Sequence, residues 1–241
     1  MIEEPVALVT GANKGIGFEI ARQLGQRGAS VFVGARDAAR GEAAASAVRD
    51  EGLKAALVLV DVTDPKSIRD AAQQVEARYP RLDILVNNAG VLLDTGVPSK
   101  TDLVTLQQTF ATNLFGPILM TQAMLPLLRR SASGRVVNLS SSLGSFAIVT
   151  DPASPFYDHN LLAYNASKAA LNAATVALAK ELRGTAIKVN AADPGYTATD
   201  LNQHRGTRTV EEGARAAVRL ALLGPDGPTG QFFDEEGTVP W

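Results

Sequence analysis

Thr10-Gly11-Ala12-Asn13-Lys14-Gly15-Ile16-Gly17 decides how this 241-residue chain folds. It stands directly after the apolar run Val6–Val9 and directly before a helical stretch, about Gly15–Arg27. Each glycine has its own physical task there. Gly11 permits a tight turn, Gly15 lets backbone N–H groups approach a pyrophosphate, and Gly17 lets the helix pack close to the sheet. The helix N-terminus then presents partial positive charge to the anion. The spacing is G-xxx-G-x-G rather than G-x-G-xx-G, and the plain alternative is a glycine-rich strand–helix turn.

The same alternation continues outward along the chain. Val6–Val9, Val31–Val33, Ala56–Val60, Ile84–Val86, Val136–Leu139 and Ile187–Ala191 read as short strands buried on both faces. Helical stretches lie between and after them, at about Gly15–Arg27, Arg40–Glu51, Pro65–Tyr79, Thr105–Arg129, Leu161–Arg183 and Val210–Leu223. A last short strand is expected at Gln231–Phe233. The pattern predicts one α/β domain over residues 1–241. Its architecture is a Rossmann-type doubly wound parallel sheet of about seven strands, with helices on both faces. Ligands then bind beyond the carboxyl ends of the strands.

Composition narrows the function. The chain is 46% hydrophobic and 20% charged, with net charge −2, so it has no basic excess for nucleic acid. It has no cysteine, which excludes disulfides, thiolate zinc sites and cysteine nucleophiles and fits a cytoplasmic protein. Two histidines make a metal site an unexpected feature, and no metal is predicted. No signal peptide, membrane-spanning helix or membrane partner is expected.

The second strand ends Val33-Gly34-Ala35-Arg36. A site for NAD usually has a carboxylate here for the ribose 2′-hydroxyl, but Asp37 comes one residue later. Arg36 and Lys14 instead place two cations at one predicted phosphate position, which points to NADP(H). Taken singly, either is equally well a solvated surface cation.

Further motifs follow in order. They are Asn87-Asn88-Ala89-Gly90, Asn113 in Thr-Asn-Leu-Phe-Gly, Ser140-Ser141-Ser142, Tyr164-Asn165-Ala166-Ser167-Lys168, and Pro194-Gly195 with Thr199. Together with the glycine segment they resemble the single-domain short-chain dehydrogenase/reductase family over essentially the whole chain. Thr10–Leu24 and Gly227–Phe233 look like its carbonyl-reductase branch. The resemblance implies that Asn113, Ser141, Tyr164 and Lys168 are catalytic. It also implies that the cofactor lies against Gly11, Asn13, Lys14, Gly15, Ile16, Gly17, Arg36, Asp61, Val62, Asn87, Ala89, Gly90, Tyr164, Lys168, Pro194, Gly195, Thr197 and Thr199.

The residues support that chemistry in their own right. Tyr164 and Lys168 lie one helical turn apart, and a nearby ammonium is expected to lower the phenol's pKa toward working pH. Tyr164 is then the proton donor in carbonyl reduction and the base in alcohol oxidation. A serine hydroxyl at the end of the fifth strand can polarise a carbonyl oxygen. Ser140, Ser141 and Ser142 are equivalent on chemistry alone, and the family register selects Ser141. Asn113 reads either as a satisfied core amide or, by resemblance, as part of a kinked helix holding a relay water. Asp61 reads as an adenine contact or a helix cap, and Thr199 as a carboxamide contact or an N-cap.

Residues 142–163 form a longer connection than in compact family members, which the resemblance implies have about ten fewer residues here. Its Phe146, Pro155, Phe156, Tyr157 and His159 suggest a pocket wall; the plain reading is a surface excursion. By the same resemblance the protein is expected to be a monomer or dimer. The loop Tyr196–Thr209 is the expected mobile lid, with Tyr196, Leu201 and His204 as substrate-contact candidates. The expected function is NADPH-dependent reduction of a ketone, aldehyde or quinone. The alternatives are an NADP-linked alcohol or hydroxysteroid dehydrogenase, a 3-oxoacyl reductase, or a non-catalytic cofactor sensor.

Overall fold

A computed structural model describes residues 4–94 and 96–241. Seven strands form one parallel sheet in the order β3-β2-β1-β4-β5-β6-β7. They are β1 Val6–Thr10, β2 Ser30–Ala35, β3 Ala55–Leu59, β4 Ile84–Asn87, β5 Arg135–Leu139, β6 Lys188–Ala192 and β7 Phe232–Phe233. β2 and β3 run outward on one side of β1, and β4 returns to its other side. The switch in direction opens a crevice beyond the carboxyl ends of β1 and β4. Most of the sequence patterns above lie in the loops that follow β1, β2, β4, β5 and β6, and Asn113, Tyr164 and Lys168 lie on helical segments.

The apolar runs lack polar alternation because both faces of the sheet are covered. Leu8, Phe32, Leu85 and Val136 turn one way, against Ile68, Val75, Met120, Met124 and Leu127. Val9, Val31, Val33, Val86 and Val137 turn the other way, against Ile20, Leu24, Ala217 and Leu220. Successive side chains along a strand point to opposite faces, so the inner strands meet helices on both sides, while the edge strand β3 ends on the exposed Leu59.

The helices are α1 Gly15–Gln26, α2 Ala38–Asp50, α3 Pro65–Glu76, α4 Leu103–Phe110, α5 Gly116–Leu128, the short α6 Phe146–Val149, α7 Leu162–Glu181 and α8 Val210–Ala221. Capping explains the small shifts from the expected limits. Asp37 accepts from Arg40 N at 2.9 Å, so α2 begins two residues early. Asp64 accepts from Lys66 N at 2.8 Å and Pro65 takes the first turn of α3.

One expected element is corrected. Thr105–Arg129 is not a uniform helix: a π-helical segment, Ala111–Phe115, joins α4 to α5. The run Leu103–Leu128 is long and apolar enough to cross a membrane by length and composition alone. Its Met120, Met124, Leu127 and Leu128 are buried against the sheet and α3, which accounts for the apolar character.

Candidate active site

The crevice is built by fastening the loop after β1 to the loop after β4. Gly11 has φ +62°, and a Cβ there would lie 2.9 Å from Ala89 Cα. A Cβ on Gly17 would lie 2.2 Å from Asn88 Nδ2 and 2.6 Å from Gly11 O. Gly17 is therefore needed less for the sheet, as expected, than for the Asn88 side chain. That amide donates to Thr10 O at 2.8 Å and Gly11 O at 3.2 Å. Thr10 Oγ1 in turn accepts from Asn88 N at 3.0 Å and Ala89 N at 3.1 Å. Lys14 occupies the N-cap position of α1 without a capping side-chain bond. The glycine loop and the first turn of α1 thus present backbone N–H groups suited to a pyrophosphate. Asn13, Lys14, Gly15 and Ile16 lie on this turn, with Ile16 partly buried against the core.

The loop after β2 carries Arg36 and Asp37. Asp37 is occupied as the cap of α2 and pairs with Arg40 at 3.3 Å. Arg36 is exposed and has no side-chain hydrogen bond or ion pair among the described residues. Asp61 accepts from Thr63 N at 2.9 Å and Thr63 Oγ1 at 2.7 Å. Burial opposes its ionisation, but these two bonds and the Arg36 charge win, holding its carboxyl below the usual range. Since Asp64 is the cap of α3, the capping alternative for Asp61 is set aside. Val62 is buried against Gly116, at the start of α5.

The Asn87 side chain turns inward. It donates to Asn138 Oδ1 at 2.8 Å, and Asn138 donates to Thr175 Oγ1 at 2.8 Å. Only its backbone remains for a cofactor. A Cβ on Gly90 would lie 3.7 Å from Lys168 Nζ and 3.5 Å from Asn113 Oδ1, so Gly90, Asn113 and Lys168 converge.

Asn113 sits in the π-helical segment and is fully buried. Its Oδ1 accepts from Val91 N at 2.8 Å. Its Nδ2 donates to Val91 O at 2.8 Å and Ser167 Oγ at 3.0 Å. Both amide hydrogens are used, so the side chain is a satisfied core amide, while the π-helical turn that carries it is a break in the helix of the kind the resemblance implies. It fastens the loop after β4 to α7.

The three serines differ in their partners. Ser140 Oγ donates to buried Asn172 Oδ1 at 2.6 Å. Ser142 is bound to Asp193 through both Oγ and, at 2.9 Å, N. Ser141 Oγ accepts from Leu143 N at 3.2 Å and faces the Tyr164 phenol. Lys168 Nζ donates to Leu139 O at 2.7 Å and lies 5.6 Å from the Tyr164 ring centroid.

The electrostatics correct one expectation. Burial pushes the Tyr164 phenol up to about 12; the Asp193 charge adds to this and the Ser141 bond opposes it. Burial also pulls Lys168 down to about 8, with Asp193 working against that shift. Desolvation disfavours both charged forms, so the tyrosine is raised rather than lowered as expected.

Two acidic residues went unrecognised in the sequence. Asp193 is buried at the end of β6, and its other oxygen accepts from Gly195 N at 2.9 Å. It therefore fastens the Ser141 loop to the Pro194–Gly195 turn. Its place directly before that motif was the available signal. Asp94 accepts from Ala163 N at 2.8 Å and Tyr164 N at 3.0 Å. Leu161, at the N-cap of α7, has no side-chain oxygen, so Asp94 caps this helix from another loop.

After β6, Thr197 Oγ1 donates to Pro194 O at 2.9 Å and braces the turn from within. Thr199 opens the one-turn helix Asp200–Asn202, as in the capping alternative. Its methyl lies 3.7 Å from the position of a Cβ on Gly15, so the lid segment rests on the glycine loop. In the connection after β5, α6 packs on the C-terminal strand: Ala147 N donates to Trp241 O at 3.2 Å, and Trp241 stacks on Phe232. Phe146 and Tyr157 are exposed on this connection, as are Tyr196 and Leu201 on the lid.

The family model described as short chain dehydrogenase matches residues 5–209. The short-chain dehydrogenase anuI of Penicillium roqueforti is 36% identical over 99% of this chain and 97% of its own length. The NADPH carbonyl reductase 3 of Mus musculus is 35% identical over 98% of each chain. The crystal structure of NADPH-bound carbonyl reductase from chicken fatty liver superposes with a TM-score of 0.88 at 29% identity, covering all of both chains. With a Rossmann-like sheet and these relatives, the chain belongs to the short-chain dehydrogenase family of oxidoreductases, whose relatives here include enzymes acting on carbonyl substrates.

Proposed function

We propose that this protein reduces a ketone, aldehyde or quinone carbonyl to an alcohol with NADPH. The observation that carries the reading is the convergence of Ser141, Tyr164 and Lys168 beyond β5, opposite a phosphate loop whose neighbouring acid, Asp37, is already occupied. The cofactor fits the residues present. The glycine loop and the α1 N-terminus would hold its pyrophosphate, and Arg36 with Lys14 its 2′-phosphate. When bound it supplies the hydride. The chain's own residues do the rest. Ser141 orients the carbonyl oxygen and offers a hydrogen bond as negative charge develops there. Tyr164, kept protonated by burial, donates the proton to that oxygen. Lys168 places positive charge beside the phenol, and Asn113 and Gly90 pack against it.

The substrate class rests on relatives named carbonyl reductases, one of them in an NADPH-bound structure. The alignment with the mouse enzyme runs over 274 positions, beyond the 241 residues of this chain, so that enzyme carries segments absent here. The individual substrate is therefore not carried over from it.

Calorimetric titration with NADPH and NADH, on the wild type and on Arg36→Ala, tests the cofactor reading. An ionic contact to the 2′-phosphate contributes roughly 1.5–3 kcal/mol, about ten- to a hundred-fold in affinity. NADPH should bind more tightly by about that factor, and Arg36→Ala should erase most of the difference. Equal or tighter binding of NADH would refute the reading.

A further inference from the structure

Lys14 is already engaged. Its Nζ lies 2.5 Å from Asp200 Oδ2, although the two residues belong to loops after β1 and β6. Both side chains are more than half exposed, at 59% and 56%. The other Asp200 oxygen bonds His204 Nε2 at 2.8 Å. The turn that carries Asp200 is conformationally demanding: Gln203 and His204 have φ of 56° and 59°, in the left-handed region that side chains disfavour. His204 N, donating to Thr199 O at 2.8 Å, and the Asp200–His204 bond hold it in place. Thr199, the preceding residue, rests over Gly15. An anionic side chain is thus held across the phosphate loop on the lysine assigned to the 2′-phosphate.

We propose that Asp200 is an internal competitor for that phosphate: it exchanges with the cofactor for Lys14, limits NADPH affinity and promotes cofactor release. The proposal rests on the NADP(H) reading above. A phosphate monoester carries up to two negative charges and three acceptor oxygens, against one charge on the carboxylate. It can therefore take the lysine, but it must first displace Asp200. On departure the carboxylate refills the contact, so release does not strand an unpaired ammonium. NADH lacks the phosphate and does not require the exchange. Asp200 therefore acts on one cofactor and not on the other.

The test is a cycle of Asp200→Asn, Lys14→Ala and the double variant. Calorimetry gives the dissociation constants for NADPH and NADH, and stopped-flow fluorescence gives the NADPH dissociation rate. Asp200→Asn should tighten NADPH roughly two- to five-fold, the range expected for an exposed ion pair. The gain should come mainly from slower dissociation and should shrink as salt is raised. NADH affinity should stay within about two-fold of the wild type. In the Lys14→Ala background, Asp200→Asn should have no further effect on NADPH. Unchanged NADPH affinity, an equal change for both cofactors, or an effect that persists without Lys14 would overturn the proposal alone, leaving the wild-type preference for NADPH intact. A wild type without that preference would overturn the cofactor reading and this proposal together.

Discussion

At the scale of single residues, the two groups at the centre of the site are both discouraged from carrying charge. Tyr164 is raised to about 12 and Lys168 is lowered to about 8, in each case mainly by burial. Under the proposed mechanism, reduction needs a protonated phenol and a charged lysine beside it. The phenol stays protonated across the working range. The lysine loses its proton as pH rises through about 8, so the reduction rate should fall through that point. Asp193 sets where this happens, because its negative charge supports the ammonium and opposes the phenolate. Asp193→Asn removes the charge and keeps the shape. The alkaline limb for reduction should then move to lower pH, and so should the onset of alcohol oxidation. A pH–rate profile in both directions checks this. A variant with less activity but unmoved limbs would mean that Asp193 only fastens the two loops.

At the scale of elements, helix α7 carries both Tyr164 and Lys168, and its N-terminus is capped from outside. Asp94 bonds the N–H groups of Ala163 and Tyr164, while Asn113 holds Val91 in the same loop. Loop and helix are therefore positioned together. Asp94→Ala should destabilise the fold by about 1 kcal/mol, the usual contribution of a cap. It should also lower turnover, while NADPH affinity, set at the far side of the crevice, stays near the wild-type value. Thermal unfolding, turnover and cofactor titration on the same variant check the three parts. Restored turnover in Asp94→Asn, which keeps an acceptor oxygen, is expected; loss of NADPH binding in Asp94→Ala would show that the loop serves the cofactor instead.

At the scale of the whole molecule, the long connection after β5 is neither wholly wall nor wholly excursion. Its first part, α6, is anchored by Ile148 against Phe232 and Val239 and by the Trp241 carbonyl. Phe146 and Tyr157 remain exposed. Leu103, Val104 and Phe115 are exposed on the α4–α5 side, where the Phe115 ring lies 6.4 Å from that of Phe110, so apolar surface is uncovered there. The resemblance implies a monomer or dimer all the same. Light scattering should return one or two times the 25.3 kDa of the chain. A fourfold mass would overturn that expectation.

The local sequence determined the alternation of strand and helix, the glycine turn and the order of the site motifs, because each depends on spacing over a few residues. The parallel sheet followed, since strands buried on both faces need helices between them. Partner choice was beyond its reach. Three adjacent serines are equivalent in sequence, and only Asn172 and Asp193, brought up from α7 and β6, leave Ser141 for the tyrosine. Asp94 lies 69 residues from the helix it caps, and Asp200 lies 186 residues from the lysine it pairs with. The Tyr164–Lys168 spacing was legible, but not the sign of the tyrosine's shift. Desolvation depends on everything packed around a group, and only the tertiary structure supplies that.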